Sequence, residues 1–310
     1  MSALSGVFPV LPTPFAEDGA IDPAALPRLV DFVVEAGADG LVYPGMASEV
    51  ETLTAVERLT MVEALGRALA GRLPFIVGAS AADPAESAAR AEEGRTHGAG
   101  AAMIMAPAAA GADVGRQRAF FAAVAAGTTL PIMLQNAPSP MGAGLSPDMV
   151  AAIVAAAPAI RYVKEETLPC GQNVSRIMAA SGGRLDGVFG GAGARYLMDE
   201  LARGASGTMP AAEMADVHVR IVAAHRSGDA ATARRLYSRT LPLLLFQQTF
   251  RVRLTKAVLV TRGLLAGGHA RAAGPTFDAG DEAELRALLR EAADLFSIHP
   301  PKLEGSIHAA

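Results

Sequence analysis

Gly37-Ala38-Asp39-Gly40-Leu41-Val42-Tyr43-Pro44-Gly45 is the stretch that decides the fold. A glycine closes an amphipathic segment, a short apolar run follows, and a Pro-Gly pair ends that run. Glycine at a helix end takes the left-handed conformation and turns the chain back toward a sheet. The same punctuation recurs at Gly98-Ala99-Gly100-Ala101 and Gly204-Ala205-Ser206-Gly207, each between a helical segment and the next apolar run.

Working outward, apolar runs bounded by Gly and Pro lie at 6–10, 40–44, 74–78, 101–105, 131–134, 160–163, 185–189 and 207–210. They read as buried parallel strands. Amphipathic segments alternate with them at 23–35, 55–70, 84–96, 114–126, 147–156, 172–180 and 195–202. Thr54 with Glu57 three residues on is a capping box, and Ser146-Pro147 is an N-cap followed by proline at the first helical position. Eight strands with intervening helices in such a span most simply close into a (β/α)8 TIM barrel, an α/β fold. The alternative, a doubly wound open sheet, lacks its GxGxxG signature after the first strand. From Ala211 on the pattern is helical, with 267–274 as a loop. The expectation is a barrel over 1–225 and a C-terminal helical extension over 226–310.

Composition narrows the function. The 310 residues are 51% hydrophobic with net charge −4, and the longest apolar stretches fall short of the roughly 18 residues of a membrane span. No basic cluster, no Trp and 5% aromatics argue against nucleic acid. The start, MSALSGVFPV, has no basic region or cleavage pattern, so the expected location is cytoplasmic. One Cys excludes a disulfide framework. His97, His218, His225, His269, His299 and His308 show no zinc-like spacing, so no metal site is expected.

Only three of the 27 basic residues are lysines: Lys164, Lys256 and Lys302. In a barrel, chemistry sits at the C-terminal strand ends. Lys164 stands there on the sixth strand, in Arg161-Tyr162-Val163-Lys164-Glu165-Glu166-Thr167. Side chains two apart on a strand share a face, so Lys164 and Glu166 point the same way. A lysine facing the interior is desolvated and its pKa falls, as the free amine of a Schiff base requires. A salt-bridge run at a strand end is the plainer reading. Lys256, in a C-terminal helix, and Lys302, in the tail, read as structural or surface residues.

The second strand ends in Gly45-Met46-Ala47-Ser48-Glu49, a turn whose backbone N–H groups at Ala47 and Ser48, with the serine hydroxyl, suit a carboxylate. The fifth strand ends in Gln135-Asn136, amides fit for polar recognition or for capping a loop. Gly190-Gly191 allows close approach of substrate to backbone, or forms a tight turn. Tyr43 is a phenol near a strand end, fit for proton transfer or for the core. Cys170 reads as incidental.

These pieces resemble, over nearly the whole chain, the dihydrodipicolinate synthase/N-acetylneuraminate lyase family of Schiff-base barrels. The likeness rests on Gly6-Val7-Phe8-Pro9-Val10 through Thr13-Pro14-Phe15, on Ala36-Gly37-Ala38-Asp39-Gly40, on Lys164 followed by acidic residues, and on Lys256-Ala257. It implies an imine on Lys164, a 2-oxo acid substrate whose carboxylate rests on the 45–49 turn, no cofactor, and a homo-oligomer, dimer or tetramer. Departures matter more. The family's Gly-Thr-Thr-Gly-Glu turn is here Gly45-Met46-Ala47-Ser48-Glu49, the strand-five tyrosine is Gln135, and the arginine that follows in the synthase pattern is Pro140. An amide cannot act as a general acid or base, so dihydrodipicolinate synthesis is not expected.

A subgroup keeps the lysine and lacks the tyrosine: the 2-keto-3-deoxy-L-arabonate dehydratases. The likeness to it lies in Pro131-Ile132-Met133-Leu134-Gln135, Ser48-Glu49, Lys164-x-Glu166-Thr167 and Gly204-Ala205-Ser206-Gly207-Thr208-Met209. It implies Lys164 and Glu166 as catalytic residues, with Ala47, Ser48, Gln135, Gly191 and Met209 against substrate. An aldolase using the same imine, and a non-catalytic keto-acid-binding relative, stand as alternatives.

Overall fold

A computed structural model describes residues 3–303. Its strands are β1 (Gly6–Val7), β2 (Leu41–Tyr43), β3 (Phe75–Gly78), β4 (Ala101–Met105), β5 (Ile132–Asn136), β6 (Ile160–Glu165), β7 (Gly187–Gly190) and β8 (Gly207–Thr208). The helices are α1 (Leu26–Glu35), α2 (Ala55–Leu69), α3 (Pro84–Thr96), α4 (Val114–Ala126), α5 (Pro147–Ala156) and α6 (Cys170–Ser181). They continue as α7 (Leu197–Ala202), α8 (Ala215–Arg226), α9 (Ala230–Phe250), α10 (Val252–Thr261) and α11 (Ala279–Glu291). The eight strands form one sheet in the order β1-β8-β7-β6-β5-β4-β3-β2, and the architecture is a (β/α)8 barrel with C-terminal helices.

By density of contact the chain divides into two units, 1–6 with 74–209 and 7–73 with 210–310. The first holds β3–β8 and α3–α7. Its helices start where local chemistry requires: Asp83, Asp113 and Ser146 each accept a hydrogen bond from a backbone N–H in the first turn. Such a cap is worth ~1 kcal/mol. Phe121, Val124, Ile153, Val154, Val174 and Ile177 are buried on the inward faces of α4, α5 and α6. Full burial of an aliphatic side chain contributes about 1.5–3 kcal/mol, so these faces hold the helices on the sheet. Gly98 and Gly204, at the helix ends singled out by the repeat, have φ of 96° and 90°, which a side chain would strain.

Strands β5 and β6 run two residues beyond the apolar runs that predict them. Pairing continues through Gln135 with Lys164 and Asn136 with Glu165, because the polar side chains there have partners of their own. Strand β8 is shorter than its apolar run; Pro210 has no N–H to extend the ladder.

The second unit holds β2, α1, α2 and α8–α11. Thr54 and Glu57 form the expected capping box, with Glu57 N donating to Thr54 Oγ1 at 3.2 Å and Thr54 N to Glu57 Oε2 at 2.9 Å. Pro9 interrupts the first apolar run, and Val10 makes only single bridges to Val42 and Ala211. Helix α9 spans 21 residues with Pro242 inside it. Among the described residues no helix is long and apolar enough to cross a membrane.

Candidate active site

In the first unit, β6 delivers Lys164 and the chain just beyond it delivers Glu166. Lys164 is 5% exposed, and its Nζ lies 3.4 Å from Glu166 Oε1. The two side chains meet on one face, as two-residue spacing on an extended chain requires. Gln135 Nε2, from the adjacent β5, donates to Glu166 Oε2 at 2.6 Å, and Ala192 N donates to Oε1 at 3.1 Å. Burial pushes the Glu166 carboxyl up, but the Lys164 ammonium and the Gln135 and Ala192 donors outweigh it and hold the carboxyl below its ordinary range. The result is a charged, oriented base beside an amine in a dry setting.

Gly191 explains how Glu166 fits. A Cβ there would stand 2.5 Å from Glu166 Cγ and Oε1. The close approach expected of substrate is therefore made by the protein's own carboxylate. Met209, 2% exposed, donates its backbone N–H to Gly190 O at 3.0 Å and so belongs to the strand ladder as well as to the core.

Residues that sequence reading passed over stand on the other face of the same strand ends. Glu165 is fully buried, accepting from Asn136 Nδ2 at 2.7 Å, from Thr167 N at 2.6 Å and from the Thr167 hydroxyl. Burial still pushes it up to about 7, against the pull of the Thr167 and Asn136 donors. Asn136 is itself pinned by Leu145, accepting its N–H and donating to its carbonyl, each at 2.9 Å. Glu200 on α7 is buried as well. Its sequence signal was a carboxylate on the apolar stripe Leu197-Glu200-Leu201, at i, i+3 and i+4. Cys170 is buried, and burial pushes its thiol up to about 12, helped by the Glu200, Glu165 and Glu166 carboxylates. A thiol so held stays protonated and is a poor nucleophile.

In the second unit, the turn after β2 is a one-turn helix over Met46–Ser48. The Ser48 hydroxyl donates to the Leu11 carbonyl and accepts the Gly45 N–H at 2.8 Å, while Ser48 N donates to Gly45 O at 2.9 Å. Both protons that the sequence reading offers to substrate, on the Ser48 hydroxyl and N–H, are held within the second unit, by Leu11 O and Gly45 O. Ala47 is half-buried. Thr13 donates to Ser48 O at 2.5 Å, so its hydroxyl proton is taken and Tyr43 is the donor in the 2.9 Å Tyr43–Thr13 contact. Burial pushes the Tyr43 phenol far up, so it does not ionise in the ordinary pH range.

Lys256 is fully buried, donating to Glu49 Oε1 at 2.5 Å and to His269 O at 2.6 Å, with Phe15 beneath it at 4.2 Å. Glu49 also accepts Ala272 N at 2.6 Å. Lys256 therefore has the structural role read for it, as half of an internal ion pair. His218 is buried, and burial lowers it to about 4. Among the described residues no group of three or more His, Cys, Asp or Glu is arranged to hold a metal ion, and His308 lies outside those residues.

A (β/α)8 barrel with a buried amine and carboxylate side by side at a strand end has the build of an enzyme, and the relatives below make it a lyase. The model of the dihydrodipicolinate synthetase family matches residues 3–292, and the chain belongs to that family. It is 33% identical to the L-2-keto-3-deoxyarabonate dehydratase of Azospirillum brasilense over 291 residues, covering 92% of this chain and 93% of the relative. It is 26% identical to "Probable 2-dehydro-3-deoxy-D-pentonate aldolase YjhH" of Escherichia coli strain K12, covering 78% of this chain and 81% of the relative. The crystal structure of a dihydrodipicolinate synthase from Rhodopseudomonas palustris matches with a TM-score of 0.85 at 27% identity, over 94% of this chain and 99% of that one.

Proposed function

We propose that Lys164 forms an imine with a 2-oxo acid and that the reaction is dehydration of a 2-keto-3-deoxy sugar acid. The observation that carries this reading is the charged Glu166 carboxylate 3.4 Å from Lys164 Nζ, held by an amide and a backbone N–H. A base so close to the amine is suited to the carbon next to the imine. The dehydratase relative at 33% identity supports the substrate class.

The chemistry for a five-carbon acid runs in balance. The Lys164 amine attacks C2, water leaves, and the protonated imine becomes an electron sink. Glu166 takes a proton from C3, and the enamine expels the C4 hydroxyl, which leaves as water with that proton. Loss of a C5 proton turns the conjugated iminium into a dienamine, protonation at C3 leaves a C4–C5 enol, and its tautomerisation puts a proton on C4 and makes C5 an aldehyde. Hydrolysis of the imine frees Lys164 and a 2,5-dioxo acid, for a net loss of one water. Gln135 holds Glu166, while Met209 and Gly191 border the carbon chain. The same reading takes 1–225 as the catalytic barrel, 226–310 as the extension, and a cytoplasmic homo-oligomer as the working form.

The test is borohydride reduction with pyruvate, read by intact mass and peptide mapping, followed by a panel of 2-keto-3-deoxy acids. An adduct on Lys164 and water loss without carbon–carbon cleavage are expected. Cleavage to pyruvate and an aldehyde would instead make the protein an aldolase, and no adduct with any 2-oxo acid would end the imine reading.

A further inference from the structure

Strand β6 ends at Glu165, so Glu166 is the first residue past the strand. Lys164 sits inside the ladder, paired with Gln135 on one side and Phe189 on the other. Glu166 has less of the sheet to hold it, and other bonds fix its backbone. Glu166 N donates to Asn136 O at 3.1 Å. The Glu165 carboxylate spans residue 166, accepting Thr167 N at 2.6 Å and the Thr167 hydroxyl on Oε1. Its other oxygen accepts the Asn136 side-chain amide at 2.7 Å. The chain is thus tied on both sides of Glu166, and both ties lead to Asn136.

The frame continues outward. The Asn136 amide also holds the backbone of Leu145, and Asn173 Nδ2 on α6 donates to Thr167 Oγ1 at 2.9 Å and to Thr167 O at 3.2 Å. Asn136, Glu165 and Asn173 are buried, and none of them has an unpartnered buried side-chain atom among the described residues. A buried polar network satisfied in this way is rigid. Strand alternation divides the work between two consecutive amides. Gln135, on the face of Lys164, takes the Glu166 carboxylate; Asn136, on the face of Glu165, takes the frame behind it.

We propose that Asn136 is a positioning residue that acts through Glu166: its side-chain amide, by way of Glu165 and Thr167, fixes the backbone that aims the Glu166 carboxylate at the carbon next to the imine. The inference rests on the imine reading above. A misplacement of about 1 Å in a reacting group can cost on the order of a hundredfold in rate. Lys164, held by the ladder itself, does not depend on this frame.

The test uses pyruvate, which separates the two residues. Borohydride trapping reads the attack by Lys164. Exchange of the methyl hydrogens in D2O, followed by proton NMR, reads proton transfer at C3: Glu166 takes a methyl proton from the imine, the enamine forms, and a deuteron from solvent returns to the same carbon. Asn136→Ala is expected to slow exchange about ten- to hundredfold while the adduct forms at close to the wild-type rate. A packing role alone would lower both in step with the folded fraction. In a Glu166→Gln background, Asn136→Ala should add no further loss, because the residue it acts through is already gone.

Wild-type exchange in Asn136→Ala, an equal loss of adduct and exchange, or a loss that multiplies that of Glu166→Gln overturns this inference and leaves the imine reading standing. A wild type that forms the adduct without exchange removes Glu166 as the base and this inference with it, whereas no adduct at all removes the imine reading too. Should Asn136→Ala fail to fold, Thr167→Val decides, since it deletes the hydroxyl bonded to Glu165 and keeps the N–H. The same separation of exchange from adduct, smaller in size, is expected, and exchange at the wild-type rate refutes the proposal.

Discussion

Gln135 Nε2 donates to Glu166 Oε2 at 2.6 Å, so the amide at the end of β5 holds the carboxylate beyond β6. An amide cannot take or give a proton here, but it stabilises a charged carboxylate. The residue standing where the resemblance puts a tyrosine therefore acts on the neighbouring base and is not itself the proton carrier.

Replacing Gln135 by Leu removes that donor while keeping bulk. A hydrogen bond to a charged group is worth about 1.5–3 kcal/mol, or about one to two pK units. Losing it raises the Glu166 pKa, so the acid limb of kcat/KM should move up by about that much. An acid limb left in place would mean that Glu166 is not the titrating base.

Lys164→Ala should abolish turnover and the reduced adduct. Lys164→Arg keeps the charge beside Glu166 but supplies no free amine, and should be equally inactive while folding well. An adduct mapped to Lys256 would move the chemistry to the other buried lysine.

Glu166→Gln should lower kcat by about 10²–10⁴ and still allow the pyruvate adduct to form. Tyr43→Phe is the comparison. The Tyr43 phenol is buried and donates to Thr13, so its loss should affect stability more than kcat. The reverse pattern, an active Glu166→Gln and a dead Tyr43→Phe, would make the phenol the proton carrier.

Ser48→Ala should be read first as a stability change. The Leu11 carbonyl and Gly45 N–H lose a buried partner, a loss of about 1–3 kcal/mol that thermal melting will detect. KM for the active keto acid should rise less than about tenfold. A large KM rise with an unchanged Tm would show that the hydroxyl turns to substrate.

Stability should also fall with rising pH through Glu165. Burial holds its pKa at about 7 in the fold against an ordinary 4.5, so the folded protein binds more protons between those limits. Its contribution is complete below the unfolded value and is lost as pH climbs through the folded one. The loss is roughly 3 kcal/mol by the shift alone. Glu165→Gln should flatten the dependence of Tm on pH between those limits, and a slope matching the wild type would mean that another group carries it.

Much of this was legible along the chain. The segment limits predicted for α3, α4 and α5 match the helices, because each begins at a side chain that caps its own first turn. The pairing of Lys164 with Glu166 was legible for the same kind of reason: residues two apart on an extended chain share a face. The β5 and β6 ends were less legible, since apolarity stops at Leu134 and Val163 while backbone pairing runs on to Asn136 and Glu165.

By itself the sequence determined the alternation of strands and helices, and with it the barrel and the lysine at a strand end, because caps, glycine turns and hydrophobic period act over a few residues. Only the tertiary structure decided what surrounds those groups. Gln135 reaches Glu166 across 31 positions through strand register, and Ala192 N–H across 26. Glu200 came to rest against Gly190 because α7 packs there, and the Ser48 hydroxyl turned to Leu11, which is 37 positions away. Burial and partnership set the charge of a carboxylate, and both depend on residues that meet only when the chain has folded.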